Sequence, residues 1–496
     1  MRIRISIPAI PGLVCLVLLC AVPAFAQADG AASSASQRHM LQPGQSAPAE
    51  ASLPRPDAAH DLDSAEAPRI SMFAHGSATP YWISGQLNVI FQANPGFHSP
   101  YQGPNSFHNA PEYKTSIVDT LYLGLQPHRH VRYNTDLVVD FEETGGRGLS
   151  EALGIAGFTN LDVVRNPNIG SAPYLARGEI HQTVGLSNEP VEADRGPLSL
   201  AAQVPVRRLE FRVGKLSLPD IFDENEVASD SHLQFLNWTV DNEGAWDYGA
   251  DTRGYTVGGS IEYDDHNLAI RYGLFAMPTV ANGASLDWAF SRARSENWEV
   301  DWTHPYIRGH SGTMRFLAFE NHAHMGNYRE AVRRYLAGQT PSPDILSVER
   351  FGTVKYGFEW NGDQALTENL RIAGRFGWND DQEESYAYTE VGQSIEVAAD
   401  DAGARWHRPQ DKAGVAFVSN AIKKDHQNYL KYGGLGFLLG DGQLNYGREN
   451  IVEGYYNWHA WRGLFYTLDG QHINDPGYNR DRGPLWVFSV RGHVDF

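Results

Sequence analysis

Charged side chains recur at alternate positions along several segments of the sequence and could together bind a polar solute. Arg208, Glu210 and Arg212 occupy every second position of one segment, and Arg371 and Arg375 share a register in another. Because alternate side chains lie on the same face of a β-strand, each set forms one charged face. Opposed arginines and carboxylates either pair with one another or offer donors and acceptors to hydroxyl groups. The positions with this pattern are Arg208, Glu210, Arg212, Arg271, Arg315, Arg371, Arg375, Arg491, Asp136, Asp140, Glu142, Glu262 and Asp469.

The stretch from Ser217 to Arg253 is a second candidate, because it combines aromatic side chains with aspartates and glutamates in a long connection. Connections of this size are usually functional or disordered. If the stretch folds inward, its aromatic rings will face the space that the neighbouring segments enclose. If it stays outside, it is a surface loop. The aromatic residues concerned are Phe222, Phe235, Trp238, Trp246 and Tyr248.

Catalytic and metal-binding patterns are scarce. The sequence contains no glycine-rich phosphate loop, no H-E-x-x-H motif and no G-x-S-x-G motif. Two His-x-His pairs, His128/His130 and His322/His324, would place two imidazoles on one face of a strand, but no third metal ligand is evident. We interpret the first pair as histidines of a short turn and the second as histidines at the start of a loop. We therefore expect no catalytic residue, no metal and no cofactor.

The first residues have the layout of a secretory signal peptide. Two arginines precede an apolar run over 10–22, and Ala-Phe-Ala at 24–26 is a small-residue cleavage motif. The apolar run is too short for a membrane anchor, so we predict a cleaved signal peptide over residues 1–26. Both cysteines, Cys15 and Cys20, lie within it, which leaves the mature chain without disulfides or thiolate ligands.

Composition limits the classes of partner. A formal charge of -19 at pH 7 argues against nucleic acid, which requires a basic surface. No apolar run after the signal peptide is long enough for a transmembrane helix. The combination of 23 tyrosines and 12 tryptophans is typical of proteins with many aromatic side chains at interfaces. Residues 27–78 are rich in Ala, Ser and Pro and have no periodicity, so we predict a flexible periplasmic leader before a folded region at 79–496.

Sixteen segments alternate between apolar and polar residues with the period of two that indicates β-strands. In WISGQLNVIFQ, for example, Ile83, Leu87 and Phe91 alternate with Gln86 and Gln92. The apolar register of the clearest segments carries no charge. Since a charge facing lipid at mid-membrane costs about 2–4 kcal/mol, this pattern favours a membrane barrel over a soluble sheet. The segments lie near 82–92, 117–125, 131–142, 178–187, 207–216, 254–263, 267–277, 296–304, 311–320, 351–360, 367–378, 385–399, 412–420, 448–460, 463–473 and 484–496.

The connections between these segments alternate between long and short, as in barrels with short periplasmic turns and long extracellular loops. The link over 188–206 is an exception, because it is long on the side of the short turns. We interpret Tyr255 and Tyr263 as the two ends of one lipid-facing stripe, at the two aromatic girdles. The sequence therefore predicts an all-β fold: a sixteen-stranded antiparallel transmembrane β-barrel with a water-filled lumen.

Four stretches of the sequence resemble the OprB family of carbohydrate-selective outer-membrane porins. The similarity extends over most of the chain from residue 80 onward. It implies a 16-stranded barrel that admits sugars, and a terminal aromatic, Phe496, that the barrel-assembly machinery recognises. The stretches are RVGKLSLPDIFDEN (212–225), WHRPQDKAGVAF (406–417), LNYGRENIVEGYY (444–456) and DGQHINDPGYNRDRGPLWVFSVRGHVDF (469–496).

We therefore predict passive diffusion of small neutral sugars across the bacterial outer membrane. The inward-folded aromatics of 217–253 would stack on sugar rings, and some wall arginines would line a constriction. The excess acidic charge is expected largely in the loops and on the opposite wall, where Asp136, Asp140 and Glu142 are candidates. Outer-membrane lipid and the barrel-assembly machinery are the other expected partners, and the number of subunits in a homo-oligomer stays open. The alternative is a secreted soluble β protein that binds or degrades polysaccharide, although no conspicuous pair of catalytic carboxylates supports it.

Overall fold

The computed structural model describes residues 71–73, 75–76, 79–164, 170–307 and 309–496. The predicted signal peptide and most of the predicted leader lie outside these residues. The first strands are β1 (Tyr81–Asn94), β2 (Glu112–His130), β3 (Tyr133–Gly146), β4 (Tyr174–Gly185), β5 (Pro190–Glu192), β6 (Gln203–Pro205), β7 (Arg207–Leu216), β8 (Thr256–Asp265) and β9 (Leu268–Phe275). They are followed by β10 (Arg294–Ile307), β11 (His310–Met325), β12 (Arg350–Ala365), β13 (Leu370–Asn379), β14 (Gln393–Gly403), β15 (Arg408–Ala421), β16 (Glu449–Trp461), β17 (Leu464–Asn474) and β18 (Leu485–Asp495).

Sixteen of these strands form one closed barrel, and each pairs antiparallel with its neighbours along the chain. The strands β5 and β6 form a separate two-stranded sheet. Every predicted segment overlaps one barrel strand, so the predicted fold is confirmed. The largest error is at 385–399, because β14 begins only at Gln393. Upstream of it, the backbone N–H groups of Tyr386 and Ala387 donate to the Asp247 carboxylate (both 2.9 Å) instead of to a strand.

The predicted alternation decides which side chains face outward. In β18, Trp486, Phe488 and Val490 are exposed on the outer surface, whereas Arg491 and His493 are buried on the inner side. An apolar outer face with polar groups inside is the arrangement that a strand in lipid requires. In the described ranges, no helix is long and apolar enough to cross a membrane.

The predicted outward orientation of one residue, Tyr255, is wrong. Tyr255 precedes β8 and is buried, and its hydroxyl donates to Glu142 Oε2 at 2.9 Å inside the barrel. The strand ladder begins only at Thr256, so Tyr255 still belongs to the connection that enters from the lumen. Tyr263, at the other end of β8, lies on the outer register as predicted.

Apart from 186–206, which the sequence marked as an exception, the long and short connections fall on opposite ends of the barrel, as predicted. Short turns at 131–132, 266–267, 366–369, 404–407 and 462–463 lie at the end that holds the start of β1, which we assign to the periplasm. The extracellular connections are 95–111, 147–173, 217–255, 276–293, 326–349, 380–392, 422–448 and 475–484, and they contain helices α1 (Trp238–Asp241), α2 (Tyr328–Leu336) and α3 (Lys424–Lys431).

Phe496 completes the closure between β1 and β18. Its N–H donates to the carbonyl oxygen of Gly85 (2.9 Å), and its own carbonyl oxygen accepts from the Gly85 N–H (2.7 Å). A Cβ atom on Gly85 would lie 2.6 Å from the Phe496 ring, so the aromatic ring covers this glycine. The seam of the barrel is therefore paired down to this residue.

The interior of the barrel contains a packed apolar cluster. Side chains from the connections 147–173 and 217–255, such as Phe158 and Phe222, are in contact with inward wall residues such as Ile451. Protein from the extracellular connections therefore fills much of the lumen that the strand number predicted to hold water.

Candidate functional site

The connection over 217–255 crosses the inside of the barrel. Its residues contact inward-facing side chains on strands that lie far apart around the wall. Only a segment within the lumen can reach all of them, so the predicted inward folding of this stretch agrees with the structure. The wall residues contacted are Arg177 on β4, Asn297 on β10, Asn361 on β12, Arg375 on β13, Glu453 on β16 and Arg491 on β18.

Arg375 holds this connection against β13. Its Nε donates to Asp223 Oδ1 (2.8 Å), and its Nη1 donates to the carbonyl oxygen of Val240 (2.9 Å) and to Glu396 Oε2 (3.1 Å). Its Nη2 donates to the carbonyl oxygen of Ala228 (2.8 Å) and to Ser229 Oγ. A guanidinium has five N–H donors, and these contacts use them. In this conformation Arg375 therefore binds the protein's own loop.

Two further arginines hold the same connection. Arg177 makes a bidentate contact with Asp220 (2.7 and 2.8 Å), and Arg491 donates to the carbonyl oxygens of Ser231 (2.7 Å) and Gln234 (2.8 Å). The sequence reading missed Arg177, which lies just before the segment predicted at 178–187. Its alternation with Glu179 was the available signal. Both arginines are almost completely buried, so these contacts are made without competition from water.

Among the other predicted arginines, Arg212 pairs with Glu179 on β4. The remaining ones form a ladder with carboxylates on the inner wall between β7 and β13. The arginines lie on β7, β9, β11 and β13, and most of their acidic partners lie on the intervening strands β8, β10 and β12. All of these side chains are less than one tenth exposed. The pairs are Arg208–Asp264 (3.1 Å), Arg271–Glu262 (3.1 Å), Arg271–Glu299 (2.7 Å), Arg315–Asp363 (2.7 Å) and Arg371–Asp363, and on β7 itself Glu210 accepts from Arg208 Nε (2.6 Å).

This ladder extends the predicted distribution of charge. The sequence placed Glu210 and Glu262 on the same inward face as the arginines, and the structure adds Asp264, Glu299 and Asp363, each one strand away from an arginine. Adjacent strands bring their inward side chains within contact distance, whereas opposite walls do not. The inner wall between β7 and β13 is therefore close to electrically balanced.

The carboxylates predicted on β3 also have local partners. Asp136 Oδ2 accepts the N–H of Leu200 (2.9 Å), and Asp140 lies 3.4 Å from Arg177 Nη1. Glu142 accepts hydrogen bonds from the hydroxyls of Tyr174 and Tyr255. Asp136 and Glu142 therefore hold connecting segments inside the barrel, as Arg375 does.

The five predicted loop aromatics divide into two groups. Phe222, Phe235 and Trp246 are fully buried; Phe235 packs edge-on against Tyr455 on β16 with ring centroids 4.8 Å apart. Trp238 and Tyr248 instead line a recess. The sequence reading did not separate these groups, because burial inside the barrel depends on partners that are distant in the sequence.

The recess is a small cavity of about 50 Å³, which has room for a few water molecules and is smaller than the roughly 300–1,000 Å³ of a typical small-molecule site. Tyr388, which the sequence reading placed in a strand, stacks on Trp238 (5.8 Å between centroids, 12° between planes) and lies 4.9 Å from the Tyr248 ring. Asp251 and Arg253 line the same recess. It therefore combines aromatic faces with a cation and a carboxylate.

Burial shifts the ionisation of acids in the connections that surround the recess. It raises the pKa of Asp251, while Lys215 and the N–H groups of Arg253 and Tyr255 oppose the shift. Burial also raises the pKa of Asp162 to about 6 and that of Glu243 to about 8. Part of the acidic charge in the lumen is therefore neutralised by protons near pH 7.

The histidine pairs lie at strand ends. His322 is near the extracellular end of β11, and the side chains of Glu320 and Glu296 provide the further metal-ligand atoms that the sequence did not reveal. Arg294 donates to Glu296 Oε1 (2.6 Å) and its Nη2 lies 3.1 Å from His322 Nε2. The group is therefore already an ion-pair network on the outer face. His128 and His130 lie at the end of β2.

The chain is similar to porins in two kinds of comparison. The family model described as "Carbohydrate-selective porin, OprB family" matches residues 131–496. The high-pH structure of Pseudomonas putida OprB has a TM-score of 0.65 and 16% identity, with 87% of this chain and 100% of that chain covered. The low-pH structure of the same protein has a TM-score of 0.44 and 11% identity, covering 84% of this chain and 93% of that chain.

A triple mutant of the Rhodopseudomonas blastica porin has a TM-score of 0.44 and 6% identity, covering 84% of this chain and 100% of that chain. No curated protein matches the sequence. The high-pH structure of Pseudomonas putida OprB supports the barrel fold, and the family match extends over most of the chain. Fold and family point to a channel rather than an enzyme. The chain therefore belongs to the OprB family of carbohydrate-selective porins of the bacterial outer membrane.

Proposed function

We propose that small neutral sugars cross this porin past the aromatic recess between the connection 217–255 and the neighbouring extracellular connections. The observation that supports this path is the set of three aromatic rings, Trp238, Tyr248 and Tyr388, beside Arg253 and Asp251. Sugars present an apolar C–H face to an aromatic ring and hydroxyl groups to charged neighbours. The recess offers both kinds of contact.

The inner wall below the recess supports a preference for neutral solutes. Its arginines are paired with carboxylates on adjacent strands, as in Arg315–Asp363 (2.7 Å) and Arg271–Glu299 (2.7 Å). A balanced wall binds dipolar, hydroxyl-rich molecules without a strong attraction for either ion sign. We therefore expect weak ion selectivity, with Arg212 among the groups that set its sign.

The apolar outer face of the barrel favours this function over the alternative of a secreted soluble protein. Exposed side chains such as Phe316, Val397 and Leu468 form a surface that needs lipid. We propose outer-membrane lipid and the barrel-assembly machinery as partners, with Phe496 as the residue that the machinery recognises.

A liposome-swelling experiment tests the proposed path. The purified porin should admit neutral monosaccharides faster than charged solutes of similar size. Trp238→Ala should change the ranking of sugars, whereas Trp302→Phe, on the exposed outer face of β10, should leave it unchanged. An unchanged ranking of sugars in the Trp238 variant would show that the constriction lies away from the recess.

A further inference from the structure

The connection between β4 and β7 is longer than its position requires. These strands pair directly, with Gly185 opposite Arg208, so a two-residue turn could join them. Among the fully described periplasmic connections, the others are short turns, such as 131–132 or 462–463. Residues 186–206 instead form a small hairpin in which β5 pairs with β6.

The tip of this hairpin is folded into the barrel. Leu198 and Leu200 are each 1% exposed, although they lie at the tip of a hairpin. The N–H of Leu200 donates to Asp136 Oδ2 on β3 (2.9 Å), and the carbonyl oxygen of Leu198 accepts from Arg212 Nη2 on β7 (3.3 Å). The tip therefore forms hydrogen bonds with inward-facing charged side chains of the wall that would otherwise face the lumen.

Arg195 fixes the tip to the first strand of the barrel. Its Nη2 donates to the carbonyl oxygens of Thr79 (3.1 Å) and Tyr81 (3.0 Å), and its Nη1 donates to that of Leu200. Its guanidinium also lies 5.4 Å from the centre of the Trp82 ring, which faces inward. These contacts join the hairpin to the start of β1 and hold it in one position.

The wall residues touched by the tip lie on neighbouring strands at the periplasmic mouth. Trp82 is on β1 and Tyr122 on β2, and both form one buried apolar cluster with Leu200. A Cβ on Gly124 would lie 2.9 Å from Leu200 Cδ1, so the leucine uses the space that this glycine leaves free. The tip therefore covers the inner surface from β1 to β7 at this level.

We propose that the hairpin at 186–206 forms a second constriction, at the periplasmic mouth, in series with the loop inside the barrel. It narrows the exit on one side of the mouth. Solutes that pass the extracellular constriction must also pass this one. The inference goes beyond the recess of the proposed path, since it concerns the other end of the barrel and applies to ions as well as sugars.

Replacing residues 187–206 with an Asn-Gly turn tests the proposal. Two comparable resistances in series predict that removing one raises single-channel conductance by about twofold. The variant should also admit larger sugars in liposome swelling. Heat-modifiable migration in SDS gels shows whether it folds. A folded variant with the parent's conductance would overturn the proposal and leave the hairpin as a brace for the wall.

A point variant keeps the proposal testable if the replacement does not fold. Arg195→Ala removes the contacts to Thr79, Tyr81 and Trp82, so the tip should loosen and single-channel current should become noisier with a higher mean. Glu192→Ala, on the exposed arm of the same hairpin, is the matched control and should have the parent's conductance. Equal current traces for both variants would contradict a constriction. Because ion current is the readout, the result does not depend on whether sugars use the recess.

Discussion

Arg375 on β13 and Asp223 in the connection 217–255 form a completely buried ion pair, with 2.8 Å between Nε and Oδ1. The two residues are 152 positions apart in the sequence. Through this pair a wall residue determines where the longest connection lies inside the lumen. The position of the connection in turn determines where the aromatic recess forms.

Arg375→Ala should release the connection. Removing one partner of a buried ion pair typically lowers the free energy of unfolding by about 3–5 kcal/mol, because the remaining charge is left buried without a partner. We expect a lower unfolding midpoint in denaturant and faster protease cleavage within 217–255. Arg207→Ala, in a half-exposed pair at the periplasmic surface, is the control and should be neutral. Protease resistance equal to the parent's would show that other contacts suffice.

Arg212→Ala should shift ion selectivity toward cations. Arg212 Nη1 contacts Glu179, and the variant leaves that carboxylate without its arginine. Reversal potentials measured across a salt gradient should move in the cation-selective direction, and sugar block of the ion current should weaken. Arg212→Lys keeps the charge and should keep the parent's reversal potential. If Arg212→Ala also leaves the potential unchanged, the arginine is only part of the scaffold.

Trp238→Ala should weaken sugar binding in the recess. Stacking of one ring contributes on the order of 1 kcal/mol, which corresponds to about a fivefold loss of affinity. The measurement is the concentration of glucose that half-blocks the ion current. Trp458→Phe on the outer face of β16 is the control, because its side chain is exposed away from the lumen. Equal half-blocking concentrations in parent and Trp238 variant would count against the recess.

Deleting Phe496, or changing it to Asp, should prevent assembly. The residue supplies both backbone hydrogen bonds to Gly85 and the ring that covers it. We expect little variant protein in detergent-extracted outer membranes, with degradation in the periplasm. Phe496→Trp keeps an aromatic ring and should assemble. Parent-like membrane levels of the Asp variant would contradict the proposed role.

The stability of the folded protein should fall as pH rises because of the buried Glu384. Burial raises the pKa of Glu384 from 4.5 to about 8, so folding favours the protonated acid. Its stabilising effect is complete below pH 4.5 and is lost as pH rises through 8. Glu384→Gln mimics the protonated acid, so its melting temperature should match the parent's near pH 4 and exceed it by a few degrees at pH 9. A constant difference across this range would refute the assignment.

The architecture could be predicted from the sequence because its cause is local. A strand in lipid needs an uncharged outer register and tolerates polar residues inside, and this alternation is visible in each segment separately, as in β18. Turn lengths then assign the two ends of the barrel. Strand assignment failed where a connection enters the lumen, at Tyr255 and over 385–392, because inward contacts replace strand pairing there.

The sequence by itself determined the barrel, its strand number and the family, since these depend on short-range alternation and on contiguous motifs. The tertiary structure decided which charges are paired, which aromatics line the recess and where the connections 186–206 and 217–255 lie. Those features depend on pairs such as Arg375–Asp223 and Asp136–Leu200, whose members are far apart along the chain. An arginine on an inward register has the same local pattern whether it faces water or holds a loop, and only the position of its partner distinguishes the two.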